Sequence, residues 1–260
     1  MKKYDLLLFK IKKKYDNNNM TLSNISQFNL QPGRILARKY KVVSLLGAGW
    51  EGEVYLIKEI ATDIERTAKI FFPQRNIKDK AVLFYAKKLH KLHHCPITIQ
   101  YSSQESIIFR GITVTMLISE YVEGELLSQF IDRQPGKRLN PFEALHLLYS
   151  LAVGMECIHS MGEYHGDLHT ENVIVQKYGL KYDLKLIDMF NFGNPNRENI
   201  YQDTIDLIHI FYHSLGGQKH YNKQPAEIKA ICCGLKKTLI LKKFRSASQL
   251  RQYLDTMQWQ

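Results

Sequence analysis

His165-Gly166-Asp167-Leu168-His169-Thr170-Glu171-Asn172, followed by Leu186-Ile187-Asp188, is the stretch whose reading decides the fold. Asp167 can orient an acceptor hydroxyl and take its proton. Asn172, and Asp188 at the end of the next strand, carry the hard oxygen ligands that Mg²⁺ prefers while it bridges phosphates. One Asp at a strand end is an ordinary turn residue, but this octet with a carboxylate behind it is a constellation. Upstream lies Gly47-Ala48-Gly49-Trp50-Glu51-Gly52-Glu53-Val54. That G-x-G-x-x-G spacing can open a dinucleotide-binding helix or form a β-hairpin. Val54-Tyr55-Leu56-Ile57 reads as a strand, which favours the hairpin, where glycines let backbone N–H groups approach phosphates. On the following strand, Thr67-Ala68-Lys69-Ile70-Phe71, the Lys69 ammonium can reach the α- and β-phosphates of a nucleotide under that hairpin. A lone strand lysine is otherwise simply solvated.

The rest of the chain is arranged around these segments. Strands are expected at Tyr40–Leu46, Glu53–Ile60, Thr67–Phe72, Ser106–Phe109 and Val114–Ser119. A helix is expected over residues 77–92, from the spacing of Ile77, Ala81, Phe84, Tyr85, Leu89 and Leu92. After Gly124 helices dominate. Asn140-Pro141-Phe142-Glu143 is a capped helix start and opens a long apolar helix through Ile158. Two short strands follow, Asn172–Gln176 and Leu184–Ile187, and then helices near 203–215, 225–241 and 246–258. Residues 15–33 are polar and turn-rich and read as a linker.

In this order the motifs resemble the protein-kinase-like superfamily over about residues 35–258, in particular an atypical, minimal bacterial Ser/Thr protein kinase. The resemblance implies an α+β bilobal fold. Residues 1–34 form a leader and linker, residues 35–124 an antiparallel five-stranded lobe with one helix and the hinge, and residues 125–260 a mainly helical lobe, with ATP in the cleft. It implies that Gly47, Gly49, Gly52 and Val54 form the phosphate loop and that Lys69 is the phosphate-binding lysine. Leu117-Ile118-Ser119-Glu120-Tyr121-Val122-Glu123-Gly124 resembles the hinge. There the Glu120 carbonyl and Val122 amide would bond adenine, Ser119 would be the gatekeeper, and Glu125 would meet the ribose. Asp167 matches the catalytic Asp, and Asn172 and Asp188 match the Mg²⁺ ligands. His169 stands where many protein kinases place a lysine near the γ-phosphate, with a charge that depends on pH. Asp203 resembles the buried Asp that braces the catalytic loop, and Arg245 the late structural Arg. The implied activity is transfer of the γ-phosphate of ATP to a hydroxyl, most simply a protein Ser or Thr.

Four departures qualify the pattern. From Ile70 to Gln104 the sole acid is Asp79, so the helix after Lys69 offers it no glutamate at the matching place, near Tyr85 or Ala86. Gly166 replaces the Arg of H-R-D. Met189-Phe190 follows Asp188 in place of Phe-Gly, and no A-P-E motif appears before Asp203. H-G-D-L-H also resembles small-molecule kinases of the aminoglycoside and choline type, and the missing helix glutamate leaves a nucleotide-binding pseudokinase as a third reading.

Composition sets the outer bounds. With 260 residues, 45% hydrophobic and 23% charged, the chain is not mainly disordered, collagen-like or a disulfide mini-protein. No apolar run approaches the roughly 18 residues of a bilayer span. The net charge of +11 favours polyanionic partners such as nucleotides or acidic lipid, or reflects a Lys-rich composition. No specific nucleic-acid motif accompanies the basic stretch Lys236–Arg245. Lys10, Lys12, Lys13 and Lys14 make the N-terminus a solvated leader or a weak contact for an anionic membrane. None of Cys95, Cys157, Cys232 and Cys233 forms a C-x-x-C pair or has His at zinc-finger spacing, and adjacent Cys232 and Cys233 are poor disulfide partners for each other, so reduced thiols in the cytoplasm are the simplest expectation.

Overall fold

The computed structural model describes residues 25–179, 181–189 and 193–258. The basic residues of the leader lie outside the described residues. Two compact units are present. Of the described residues, the first takes 25–82 together with Gln104–Leu117, and the second takes Leu83–Ser103 with those from Ile118 onward.

The first unit is built on a sheet of strands β1 (Ile35–Leu36), β2 (Tyr40–Ala48), β3 (Gly52–Glu59), β4 (Glu65–Phe71), β5 (Tyr101–Phe109) and β6 (Ile112–Glu120), in the order β1-β2-β3-β4-β6-β5. The ends of β5 and β6 run on into the second unit. All five expected strands are there, and the two-residue β1 adds a sixth at the edge. The pairs from β1 to β4 are antiparallel. Tyr40 and Val42 alternate inward on β2, and Tyr55, Ile57, Ala68 and Ile70 lie in the core, as period-two strands require.

The segment that reads as a linker is, from residue 25 onward, part of this core. Ile25, Phe28 and Leu30 are buried. Phe28 stacks on Phe72 at 5.3 Å and meets Phe109 edge-on at 5.1 Å. The Glu53 carboxylate accepts the backbone N–H groups of Phe28 and Asn29 at 3.0 and 3.2 Å and the Tyr55 hydroxyl proton. The Tyr55 oxygen accepts the Leu30 N–H at 3.0 Å. Polar composition concealed three anchoring apolar residues and a buried glutamate that satisfies the incoming backbone.

The helix expected from residue 77 becomes regular only as α1 (Lys80–Lys91). Lys78 and Asp79 have left-handed φ values of 54° and 56°, which break the first turn. Asn76 then does the capping, its Oδ1 accepting the N–H groups of Ala81 and Val82 at 3.1 and 3.2 Å.

The second unit is organised on the long helix α3 (Pro141–Ser160), preceded by the short α2 (Leu127–Asp132). Asn140 caps α3 by accepting the Glu143 N–H at 2.9 Å, as the sequence requires. Ala144, Leu147, Leu148, Leu151, Ala152, Met155 and Ile158 are buried along it. A small sheet, β7 (Glu125–Leu126), β8 (Val173–Tyr178) and β9 (Lys181–Leu186), packs nearby. Helix α4 (Arg197–Ser214) follows, begun by an Asn196 cap. The helix expected at 225–241 is two helices, Ala226–Cys232 and Lys237–Lys243. Cys233, Gly234 and Leu235 all take left-handed φ values between them, which no helix interior tolerates.

The expectation of reduced thiols is corrected for one pair. Cys95 and Cys157 are joined in a disulfide, with their Cα atoms 5.7 Å apart. Their separation of 62 residues hides the pairing from any spacing rule. Cys232 and Cys233 are free. Among the described residues no helix is long and apolar enough to cross a membrane.

Candidate active site

In the first unit the glycine stretch forms the β2–β3 hairpin. Gly47 stands opposite Val54 and Ala48 opposite Glu53, and the Gly49 N–H donates to the Gly52 carbonyl at 2.9 Å. The glycines differ in purpose. A Cβ on Gly52 would lie 2.0 Å from the Ile70 carbonyl oxygen, so the close approach of β3 to β4 demands glycine there. Gly47 and Gly49 have nothing within 4 Å of a would-be Cβ. Both are exposed, and the hairpin carries no side chain at either position. Half-buried Val54 stands across from Lys69 in the β3–β4 register.

Lys69 is mostly buried, and its ammonium lies 2.9 Å from the Glu51 carboxylate, which is 3% exposed. The carboxylate absent from the following helix is thus supplied from the tip of the glycine hairpin itself. Asp79, the one acid between Ile70 and Gln104, is committed elsewhere. It accepts from Asn76 Nδ2 at 2.9 Å and from the Thr115 hydroxyl at 2.6 Å.

In the second unit the catalytic-loop octet is held by Asp203 on α4, which is completely buried. Its carboxylate accepts the N–H groups of His165 and Gly166, each at 2.8 Å, and lies 3.1 Å from His159 Nε2. Gly166 has φ +88°, a left-handed conformation that explains glycine where the family pattern has Arg. His165 is buried, and burial holds its imidazole toward the neutral form. Its Nε2 donates to the Ile187 carbonyl at 3.0 Å, and its Nδ1 accepts the Asp167 N–H at 3.3 Å. One ring therefore fixes both Asp167 and the residue before Asp188.

Asp167 keeps its carboxylate largely exposed, 3.6 Å from His169 Nε2. The pair shifts both groups: hydrogen bonding to His169 lowers the Asp167 carboxyl, and the same contact raises the His169 imidazole. Asn172 spends an amide N–H on the Asp167 carbonyl at 2.9 Å. The Ile187 N–H donates to the Asn172 carbonyl at 3.0 Å, which ties the residues around both oxygen donors together. Asp188 has φ +56°, the kind of strained backbone that gathers at functional sites. Residues 190–192, where the pattern departs from Phe-Gly, lie outside the described residues.

The hinge residues are also placed. Ser119 is buried. The Glu120 N–H donates to the Gln100 carbonyl at 3.0 Å, and the Glu120 side chain accepts from the Gln100 N–H at 3.0 Å and from Lys185 at 2.7 Å. Val122 is half-buried. The Glu125 carboxylate pairs with Arg133 at 2.6 Å, an engagement the ribose reading did not foresee.

Three contributors escaped the sequence reading. Glu51 is one of the variable residues between the glycines, a place the motif leaves unspecified. Asp206 lies one turn beyond Asp203 on α4, and burial pushes its carboxyl up to about 7, with Asp203 and Asp167 adding to the rise. Its spacing of three from Asp203 was the available signal. Buried Lys88 on α1 donates to the Tyr164 carbonyl at 2.7 Å, just before the catalytic loop.

Comparison with known proteins gives the family and the fold. Residues 40–204 match the protein kinase domain family. The chain is similar to the "Probable serine/threonine-protein kinase YbdM" of Bacillus subtilis, at 25% identity over 74% of this chain and 77% of that protein. It is also similar to serine/threonine-protein kinase pkn2 of Myxococcus xanthus, at 27% identity over 59% of this chain, although it spans only 18% of that relative's length. Among solved structures, a double mutant of the Mycobacterium tuberculosis PknI kinase domain has the same fold. The TM-score is 0.60 and the identity 19%, with 88% of this chain and 97% of that one covered. The ordered motifs, the bilobal elements and the family match converge: this chain belongs to the protein kinase family.

Proposed function

We propose that this Ser/Thr protein kinase-like enzyme transfers the γ-phosphate of ATP to a protein Ser or Thr hydroxyl with the help of Mg²⁺. The observation that carries the reading is the catalytic loop, where buried Asp203 and His165 hold Asp167, Asn172 bonds the Asp167 carbonyl, and both His165 and Asn172 bond Ile187, the residue before Asp188. The donor set suits the ion. Asn172 uses amide N–H groups internally, which leaves its oxygen as a ligand, and Asp188 adds a carboxylate; Mg²⁺ takes few protein oxygens and fills its shell with phosphate and water. When bound, the metal would bridge the phosphates and offset charge that develops in the transition state.

The chain's own residues supply positioning and electrostatics, which is most of what phosphoryl transfer needs. The glycine hairpin and the Lys69 ammonium hold phosphate oxygens. Asp167 accepts a hydrogen bond from the acceptor hydroxyl and receives its proton as the O–P bond forms. Its lowered carboxyl stays ionised and ready for that role. His169, raised by its hydrogen bond to Asp167, adds positive charge near the transferring group when it is protonated. The Glu120 carbonyl and Val122 amide serve adenine. The ground for a pseudokinase reading, the absent helix glutamate, is weakened by the Glu51–Lys69 pair.

The test is label transfer from γ-labelled ATP to general acceptor proteins and to the chain itself, followed by phosphoamino-acid analysis. Phosphoserine or phosphothreonine is expected, with Asp167→Ala reducing transfer by about 100-fold or more. Undiminished transfer in that variant would remove the proposed role of Asp167.

A further inference from the structure

We propose that Glu51, at the tip of the glycine hairpin, is the positioning carboxylate of Lys69 and takes the service that the helix after Lys69 cannot give. The inference rests on the phosphotransfer reading of the site. Its basis is a juxtaposition within the first unit alone. Glu51 is 3% exposed and lies 2.9 Å from the Lys69 ammonium. The hairpin tip is fastened to the end of β4 by three further contacts. The Phe72 N–H donates to the Glu51 carbonyl at 2.8 Å. The Arg75 guanidinium lies over the Trp50 ring at 3.9 Å. Gly52 allows β3 to approach the Ile70 carbonyl more closely than any side chain would permit. Glu51 is therefore held by its backbone and does not reach Lys69 from a loose loop.

The physical need is plain. A lysine withdrawn from water loses its proton readily unless a carboxylate stands beside it, and a neutral amine neither holds phosphate nor stabilises charge. A buried ion pair is also asymmetric, because removal of one member leaves the other charge uncompensated. The pair couples two jobs that kinases usually divide: the loop that covers the phosphates also sets the cation that binds them. Lys69 would then be correctly placed only while the hairpin is docked on β4.

The experiment measures the ATP dependence of label transfer for the full chain and for Glu51→Gln, Glu51→Asp, Lys69→Met and the Glu51→Gln/Lys69→Met double variant. Glu51→Gln is expected to lower kcat/KM for ATP by about tenfold or more. Glu51→Asp is expected to recover part of the loss, and the double variant to be no worse than Lys69→Met. A Glu51→Gln enzyme as fast as wild type or faster would overturn the proposal, as would a double variant that loses both factors in full. Thermal melts confirm that each variant is folded, and if Glu51→Gln is not, Glu51→Asp must still fall between wild type and Lys69→Met. Should wild type transfer no label, the kinase reading fails by itself. Equilibrium binding of ATP then tests Glu51 alone, with about tenfold weaker binding by Glu51→Gln expected and equal or tighter binding contradicting it.

Discussion

Asp203 and Glu51 are both buried carboxylates, one in each unit, and they work differently. Asp203 accepts from backbone N–H groups of His165 and Gly166 and braces a loop. Glu51 faces a side chain, the ammonium of Lys69, and braces a charge. A backbone brace fixes geometry for every residue of its loop. A side-chain brace fixes one atom, and any hairpin that brings a carboxylate near enough can supply it. That explains why the first kind follows a sequence motif and the second can move from a helix to a glycine loop.

The comparison can be broken most severely at Asp203. Asp203→Ala leaves the buried His165 N–H and the half-buried Gly166 N–H without their acceptor, at up to about 1–3 kcal/mol each. Thermal melts should show a drop of roughly 10 °C. Label transfer should fall by about 100-fold or more, because loss of the loop's geometry misplaces Asp167. A variant with wild-type transfer would mean that the loop stands without its brace.

A second break is covalent and confined to the second unit. The Cys95–Cys157 bond closes a separation of 62 residues, which the chain-entropy account values at about 4 kcal/mol. Reductant should lower the Tm of wild type and leave a Cys95→Ser/Cys157→Ser variant unmoved. Melts indifferent to reductant in both would mean that the bond does not stabilise the fold.

The mildest change sharpens the picture around Asp203. The Asp206 carboxyl rises from an ordinary 3.8 to about 7, chiefly through burial. In the unfolded chain it ionises near 4, while in the folded protein it keeps its proton until about 7. Its contribution to stability is therefore largest at low pH and falls as pH climbs through that window. Asp206→Asn should raise the Tm by a few degrees at pH 8 and make little difference near pH 4. Equal shifts at both pH values would contradict the burial account.

Much of this was legible in the chain. The hairpin glycines, Lys69, the octet and Asp188 follow local rules of spacing, and the Asn140 cap is a local rule as well. The structure puts the glycines on the β2–β3 hairpin, Lys69 on β4 and the Asn140 cap at the start of α3. What escaped depends on contacts distant in sequence or hidden among variable positions. Ile25, Phe28 and Leu30 sit in a polar stretch, and only the fold reveals that Glu53 and Phe72 receive them. The break at Cys233–Leu235 comes from three left-handed residues, of which only Gly234 gave any signal. Glu51 occupies a place that the glycine pattern leaves free, so no local rule marks it as a partner of Lys69.

The most direct test of the account remains the labelled-ATP measurement, run with Mg²⁺ on wild type beside Asp167→Ala and Asp188→Ala, with the chain itself among the acceptors. The account predicts label on Ser or Thr in wild type and nearly none in either variant. Label that persists at the wild-type level in both variants would contradict it.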